Sequence, residues 1–191
     1  MRSYSPLHHT ILRPGARVAG PTPVARVTLD DPALSVMTDL HDRPAVATTP
    51  AETIDRAHLL MVQGGVRLLF VVGPDGVLAG VITATDILGE KPMRLVQDRR
   101  VRHEEILVSD VMTAAAHLQA LSIEEVAQMR VGHIVETFKQ VGRQHLIVAE
   151  EGGRRVRGLF SASQVARQLG FEVRTTEVAR TFADIEAALV R

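Results

Sequence analysis

Residues 80–88 read GVITATDIL: an apolar run stops at Thr83, and Asp86 follows three residues later. The run is typical of a buried strand. Threonine and aspartate are frequent where a helix begins, because their side-chain oxygens accept hydrogen bonds from the unpaired N–H groups of the first turn. The stretch therefore predicts a strand that passes directly into a helix. Taken alone, it leaves helix capping and ligand binding equally open as the reason for Thr83 and Asp86.

The same stretch occurs a second time as GLFSASQVA at residues 158–166. Two other stretches also recur: GVRLLFVV at 65–72 returns as GRQHLIVA at 142–149, and VMTDL near residue 36 returns as VMTAA near residue 111. The offset between the copies stays within about 75 to 78 residues, and a nearly constant offset indicates a duplicated unit.

Each copy is predicted to have the order strand, helix, strand, strand, helix, which places the protein in the α/β (α+β) class. In the first copy, PAVATT is the first strand, VRLLFVV and VLAGVIT flank a GPDG turn, and Lys91-Pro92 closes the last short helix. In the second copy the elements are HLQAL, IVETFKQVG, HLIVAEE, VRGLFS and SQVARQLG. We expect two pseudo-symmetric repeats, each a three-stranded sheet with two helices, packed sheet to sheet.

The duplication divides the chain into five segments. Repeat 1 is predicted at residues 31–92 and repeat 2 at 109–171, joined by a linker at 93–108 that carries a solvated helix. Residues 1–30 are rich in proline and glycine and are predicted to be an N-terminal extension, with an edge strand expected at PVARVTL. Residues 172–191 are predicted to form a C-terminal helix with one apolar face, made of Val178, Phe182, Ile185 and Leu189.

Composition excludes several classes of protein. The chain has 191 residues, of which 46% are hydrophobic, so it is long and apolar enough to bury a core. It has 22 Lys and Arg, 22 Asp and Glu, and no cysteine. This balance argues against a nucleic-acid or membrane surface and against disulfides or thiolate metal sites. The N-terminus lacks a signal-peptide pattern, and no stretch approaches the roughly 20 apolar residues of a membrane span. We expect a cytoplasmic protein.

The repeated motifs resemble those of cystathionine-β-synthase-type (CBS) domains, arranged as a stand-alone tandem pair over about residues 36–170. The motifs are VMT at the head of each copy, GVRLLFVVGPDG, and GVITATD, which matches the family's Gly-x-x-Thr/Ser-x-x-Asp pattern. The resemblance implies a non-catalytic regulatory module that binds an adenine nucleotide between the repeats and signals to a partner protein. It implies no obligatory cofactor, since the nucleotide acts as a regulatory ligand.

The resemblance also implies which residues bind the nucleotide. Thr83 and Asp86 lie where a helix N-terminus suits a phosphate and where a carboxylate can accept hydrogen bonds from both ribose hydroxyls. Val46 and Thr48 end the strand that, in the family, presents backbone amides to the adenine. Arg67 lies beside the cleft strands and is a candidate for contact with the phosphates.

Repeat 2 offers a second, weaker site. Ser161 keeps the hydroxyl, whereas Gln164 replaces the carboxylate and has one acceptor oxygen and no charge. Arg143 and His145 are the phosphate candidates of this site. Arg157 is a further candidate. For each of these groups, and for Arg67, the alternative is a solvated or salt-bridged surface group.

The remaining motifs do not support an enzyme or a metal site. HEEIL at 103–107 lacks the second histidine of a zinc-binding HExxH, and no GxGxxG, GxxxxGK or GxSxG occurs. The alternative to nucleotide binding is a ligand-free interaction module. We also expect a homodimer, formed through repeat helices that carry Leu59, Leu60, Met61, Ile134 and Phe138.

Overall fold

The strands predicted from the apolar stretches are present in both copies. The computed structural model describes residues 8, 10–18 and 26–171. In this part of the chain the strands, in chain order, are β1 (Thr38–Asp39), β2 (Ala47–Thr48), β3 (Leu68–Val72), β4 (Leu78–Thr83), β5 (Thr113–Ala114), β6 (Ala120–Ser122), β7 (His145–Glu150) and β8 (Arg155–Ser161). The pairs β3–β4 and β7–β8 are antiparallel, while β2 and β6 run parallel to β3 and β7.

The helices lie between these strands and after them. They are α1 (Ile54–Gly64), α2 (Ala84–Leu88), α3 (Glu90–Arg99), α4 (Val108–Val111), α5 (Ile123–Val126), α6 (Val131–Val141) and α7 (Ala162–Gln168). α2 and α7 begin directly after β4 and β8, so both copies of the opening stretch contain the predicted strand-to-helix junction. The prediction that Lys91-Pro92 ends the helix after Thr83 is wrong. That helix ends at Leu88, and Pro92 lies in the first turn of α3, where its missing N–H costs no helical hydrogen bond.

The two sheets exchange their edge strands. The first sheet has the order β2-β3-β4-β5 and the second sheet has the order β1-β8-β7-β6. β1 lies at the head of repeat 1 but pairs with β8 of repeat 2, and β5 lies at the head of repeat 2 but pairs with β4 of repeat 1. Each sheet therefore has four strands and not the predicted three, because the VMT segment of each copy adds a strand to the other copy's sheet.

Glycine makes this exchange possible. Gly80 in β4 faces the exchanged strand β5, and Gly158 in β8 faces β1. A Cβ atom on Gly80 would lie 2.3 Å from the carbonyl oxygen of Thr113, and a Cβ atom on Gly158 would lie 2.7 Å from the carbonyl oxygen of Thr38. Both obstacles are backbone atoms, which cannot rotate out of the way as a side chain can. This explains why both copies of the opening stretch begin with glycine.

The segment before each exchanged strand docks on the same unit as that strand. Residues 29–31 accept hydrogen bonds at the start of α6, through the carbonyls of Leu29 and Asp31, each at 2.9 Å. At the equivalent place on the other unit, the carbonyl of Ile106 accepts from the Ile54 N–H at 3.1 Å. Residues 26–29 of the predicted edge strand thus take part in docking without forming a strand. Each structural unit combines two separate segments of the chain.

Two apolar cores lie between the sheets and the helices, and a third lies between the two sheets. The third contains Leu68, Phe70 and Val81 from the first sheet and Ile147 from the second, all 7% exposed or less. The predicted sheet-to-sheet packing is therefore confirmed.

Three of the five residues predicted for a dimer face are buried inside their own unit. Met61, Ile134 and Phe138 are each 2% exposed and belong to the cores beneath the helices. Leu60 is half-buried, while Leu59 is 52% exposed. Self-association stays a prediction, and a face for it has to use exposed positions such as Leu59. The predicted C-terminal helix at 172–191 lies outside the described residues.

We expect the substitution Gly80→Ala to destabilise the protein, because the added methyl group meets the backbone of β5. Overpacking of this kind costs about 1–3 kcal/mol in the free energy of unfolding, which urea denaturation measures. The matched control is Gly132→Ala in α6, where a Cβ atom would lie at an ordinary 3.4 Å from its nearest neighbour. An alanine at Gly80 that left the unfolding midpoint unchanged would contradict this account of the exchange.

Candidate ligand-binding cleft

A cavity of about 440 Å³ lies between the two copies. β4 and the start of α2 contribute one wall, and repeat 2 contributes the other through residues 118–121 and 141–147. Thr113 of the exchanged strand β5 also lines the cavity. The apolar part of the lining includes Leu68, Val81 and Ile147. A cavity of this size, apolar with a few polar groups, is typical of a site for a small organic ligand.

Thr83 and Asp86 lie on the first wall and bind each other. The Thr83 hydroxyl donates to Asp86 Oδ2 at 2.7 Å, and the Thr83 N–H donates to the same oxygen at 3.0 Å. In return, the Asp86 N–H donates to Thr83 Oγ1 at 3.3 Å. The pair is a capping box, so the capping interpretation of the opening stretch holds. A ligand is still compatible with it, because a carboxylate has about four acceptor positions.

The second oxygen of the Asp86 carboxylate accepts a hydrogen bond from the Lys91 ammonium. The same ammonium donates to the carbonyl oxygen of Val111 at 3.1 Å. The Asp86 side chain is only 12% exposed, so its charge needs a partner to offset the loss of water. Sequence reasoning missed Lys91, because the contact depends on the way that α3 follows α2 and not on a motif.

Arg143 and His145 bring polar groups of repeat 2 to the opposite wall. Arg143 is exposed and follows Gly142, the residue in left-handed conformation that caps the C-terminus of α6. His145 is half-buried at the start of β7. Burial, together with the positive charge of nearby Arg67, lowers the pKa of His145 to about 4. The imidazole is therefore neutral at pH 7 and offers one donor and one acceptor, which suits a base or a sugar better than a phosphate.

The structure groups the predicted site residues differently from the sequence. Arg143 and His145, predicted for the second site, line the same cavity as Thr83 and Asp86, because the two copies face each other across it. The three residues predicted to accompany Thr83 and Asp86 lie outside this lining; they are Val46, Thr48 and Arg67. Val46 packs against the core of the first unit, Thr48 is 6% exposed, and Arg67 is half-buried near His145.

The equivalent region of repeat 2 differs from this cavity in its polar groups. The hydroxyl oxygens of Ser161 and Ser163 share a hydrogen bond at 3.1 Å. Gln164 Oε1 accepts a hydrogen bond from the Thr38 hydroxyl at 3.2 Å. In the strand register, Leu68 faces Thr83 as His145 faces Ser161, so leucine stands at the position equivalent to His145. The second copy therefore has an amide already in use where the first has a carboxylate.

Arg157 lies outside the lining of this cavity and is held in an ion pair. Its guanidinium forms a two-pronged ion pair with Asp39, with Nε donating to Oδ1 at 3.1 Å and Nη2 donating to Oδ2. The pair joins β8 to the exchanged strand β1. The salt-bridged interpretation of Arg157 is thus the right one.

The lining includes residues that the sequence did not single out. Thr113 and residues 118–121 line the cavity. The repeated VMT segment contained a signal for Thr113, since the threonine of that motif occurs in both copies.

In the described part of the chain, no group of three or more His, Cys, Asp or Glu is arranged to hold a metal ion. No helix there is long and apolar enough to cross a membrane.

The lowered pKa of His145 predicts how stability depends on pH. The folded state holds the imidazole neutral down to a pKa of about 4, whereas the ordinary value is 6.5. The unfolded state therefore binds the extra proton first, and stability is lost as the pH falls from about 6.5 to about 4. Relative to His145→Gln, which has no such proton, the wild-type protein should lose about 3 kcal/mol of unfolding free energy over this range. If the free energy of unfolding, measured by urea denaturation, depended on pH in the same way for the wild type and His145→Gln, the lowered pKa of His145 would be refuted.

Comparison with solved structures identifies the fold. An uncharacterized conserved protein from Pyrococcus horikoshii aligns with a TM-score of 0.56 at 21% sequence identity, over 78% of this chain and 100% of that one. CBSX2 from Arabidopsis thaliana, solved in complex with AMP, aligns with a TM-score of 0.52 at 19% identity, over 72% of this chain and 94% of that one. The CBS-domain containing protein ATU1752 from Agrobacterium tumefaciens gives 0.52 at 19% identity, over 68% and 88%.

Comparison with sequences gives a narrower result. No curated protein matches the chain. The family model described as CBS domain matches residues 35–92. These residues contain α1, the β3–β4 pair, and the junction at Thr83. Residues 35–92 thus match the CBS domain family, and the chain shares the two-unit fold of CBS-pair proteins of known structure.

Proposed function

We propose that the cleft binds an adenine nucleotide and that the protein is a non-catalytic module that reports the nucleotide level to a partner protein. One observation carries the proposal: Thr83 and Asp86 from one copy meet Arg143 and His145 from the other around a single cavity of about 440 Å³. The choice of ligand is supported by CBSX2, which shares the fold and was solved with AMP.

Each part of a nucleotide has a matching group on the cavity wall. The Asp86 carboxylate has about four acceptor positions, of which Thr83 and Lys91 use three, so one is left for a ribose hydroxyl and a second becomes available where Lys91 moves away. Leu68, Val81 and Ile147 offer an apolar surface to the base, and the neutral His145 can form a hydrogen bond with its edge. The N–H groups of Thr83 and Asp86 are already bonded within the capping box. Recognition of the phosphate therefore falls to side chains such as Arg143.

The composition of the cavity wall suggests how binding is transmitted. Both repeats contribute to the lining, and repeat 2 does so also through the exchanged strand β5. A nucleotide that touches both repeats binds best in one relative arrangement of the units, and so it shifts the population towards that arrangement. A partner protein can then distinguish the two states.

Thermal unfolding in the presence of AMP, ADP, ATP and adenosine tests the proposal directly. A ligand at 100 times its dissociation constant adds about 2.7 kcal/mol to the free energy of unfolding. If none of these compounds raised the unfolding temperature, a ligand-free interaction module would become the better interpretation.

We expect Asp86→Ala to weaken AMP binding, because it removes charge-assisted hydrogen bonds to the ribose. Bonds of this kind contribute about 1.5–3 kcal/mol, or roughly ten- to hundredfold in affinity. Calorimetric titration measures the affinity, and urea denaturation measures the stability lost with the cap.

Asp110→Ala is the matched control for Asp86→Ala. Asp110 accepts the Leu107 N–H at 3.0 Å as a helix cap and is paired with Arg99 at 2.6 Å, as Asp86 is paired with Lys91, but it lies outside the cavity lining. The Asp110→Ala variant should lose stability and keep the AMP affinity of the wild type. Equal AMP affinities for wild type and Asp86→Ala would show that Asp86 is a helix cap alone.

We further propose that one chain binds one nucleotide tightly, with a weaker second site at Ser161 and Gln164. Gln164 supplies one acceptor oxygen and no charge, and that oxygen already accepts from Thr38. The variant Gln164→Asp should strengthen or create the second binding event. Calorimetric titration with AMP gives the stoichiometry of both proteins. Two equally tight sites in the wild-type chain would contradict the asymmetry.

A further inference from the structure

We propose that Lys91 makes the cleft select phosphorylated adenosine over adenosine itself. This inference rests on the proposed function and assigns a specificity-determining role to a residue outside the CBS sequence motifs quoted above. The observation behind it is the contact of the Lys91 ammonium with Asp86, the group proposed to bind the ribose.

Lys91 compensates the charge of Asp86. The Asp86 side chain is 12% exposed, whereas the Lys91 side chain is 54% exposed. A largely buried carboxylate needs a cationic partner, and an exposed, flexible lysine supplies one that can move. Lys91 therefore occupies an acceptor position that a ribose hydroxyl also needs.

A ligand without a phosphate competes with Lys91 for the Asp86 carboxylate and offers the ammonium no new anionic partner. The hydroxyls of adenosine replace the hydrogen bond on Asp86, but they leave the ammonium without an anionic partner. The phosphate of AMP is attached to the same ribose and carries negative charge close to it. The ammonium can then exchange one charge-assisted hydrogen bond for another. Lys91 thus opposes the binding of adenosine and favours the binding of AMP.

The surroundings of Lys91 leave it suited to this exchange. Its other contact, at 3.1 Å, is with the carbonyl of Val111, which is a neutral acceptor. Arg94 and Arg99, on the same helix, are paired with Glu90 and Asp110. These two arginines are paired with other carboxylates, and the cation of this helix that contacts Asp86 is Lys91.

Titration of the wild type and Lys91→Met with AMP and with adenosine tests the proposal. In the variant we expect AMP affinity to fall and adenosine affinity to hold or rise, so that the preference for AMP drops by about tenfold, the value of one charge-assisted contact. Arg94→Met is the matched control, because it removes one positive charge from the same helix at an ion pair that faces solvent. It should keep the wild-type preference, and Lys91→Arg should restore part of it.

An unchanged preference in Lys91→Met, or an equal change in both affinities, would overturn the proposal. The contact between Lys91 and Asp86 is tested without any ligand, by the urea midpoints of Asp86→Asn, Lys91→Met and the double variant. The midpoint shift of the double variant should be smaller than the sum of the two single shifts. Additive shifts would overturn the contact even in a protein that binds AMP. If the wild type bound no adenine compound, the proposed function and the selectivity would both fail, while non-additive midpoints would still establish the contact.

Discussion

The close approach of β5 to Gly80, and of β1 to Gly158, is the constraint on which the rest of the molecule depends. It brings an exchanged strand against the central strand of the other copy's sheet, so that each unit contains chain from both repeats. The exchange fixes the two sheets relative to each other, and the core between them contains residues of both. The cavity is a consequence of this arrangement, because its walls belong to different units and Thr113 of β5 lies on one of them.

Duplication gave the chain two equivalent frameworks, and the side chains then make them unequal. The glycines that admit the exchanged strands occur in both copies. At the junctions, however, Asp86 has the counterpart Gln164, and His145 has the counterpart Leu68. Backbone requirements are the same in both units, since both must pack against an exchanged strand. The polar groups are not bound by this requirement, and one cavity contains Asp86 from repeat 1 together with Arg143 and His145 from repeat 2.

The sequence was sufficient for the elements that depend on local pattern. The apolar, β-branched runs predicted β3, β4, β7 and β8. Thr83 and Asp86, at the end of β4, predicted the cap of α2. The two-residue strands β1 and β5 are too short for a period of two to be visible, and their partners lie in the other copy. Their pairing is set by tertiary contact, which no local window contains.

The residues of the candidate site also differ in whether a local pattern or a tertiary contact places them. Thr83 and Asp86 could be predicted because the motif and the repeat both mark them. Arg143 and His145, predicted for the second site, line the same cavity as Thr83 and Asp86, because a sequence alignment places residues beside their own repeat and cannot show that the copies face each other. Lys91 was missed because its contact with Asp86 depends on the direction in which α3 leaves α2.

The strand exchange also decides when the protein can fold during synthesis. The first sheet lacks an edge until Thr113 and Ala114 have left the ribosome, although β3 and β4 are made long before. β1 is made early, yet it has to wait for β8, which is among the last of the described strands to be made. A nascent chain that has reached the linker therefore exposes the open edge of β4, and such an edge is a template for pairing with other chains. The first sheet is closed as soon as the head of repeat 2 appears, whereas β1 stays without its partner until β8 has been made.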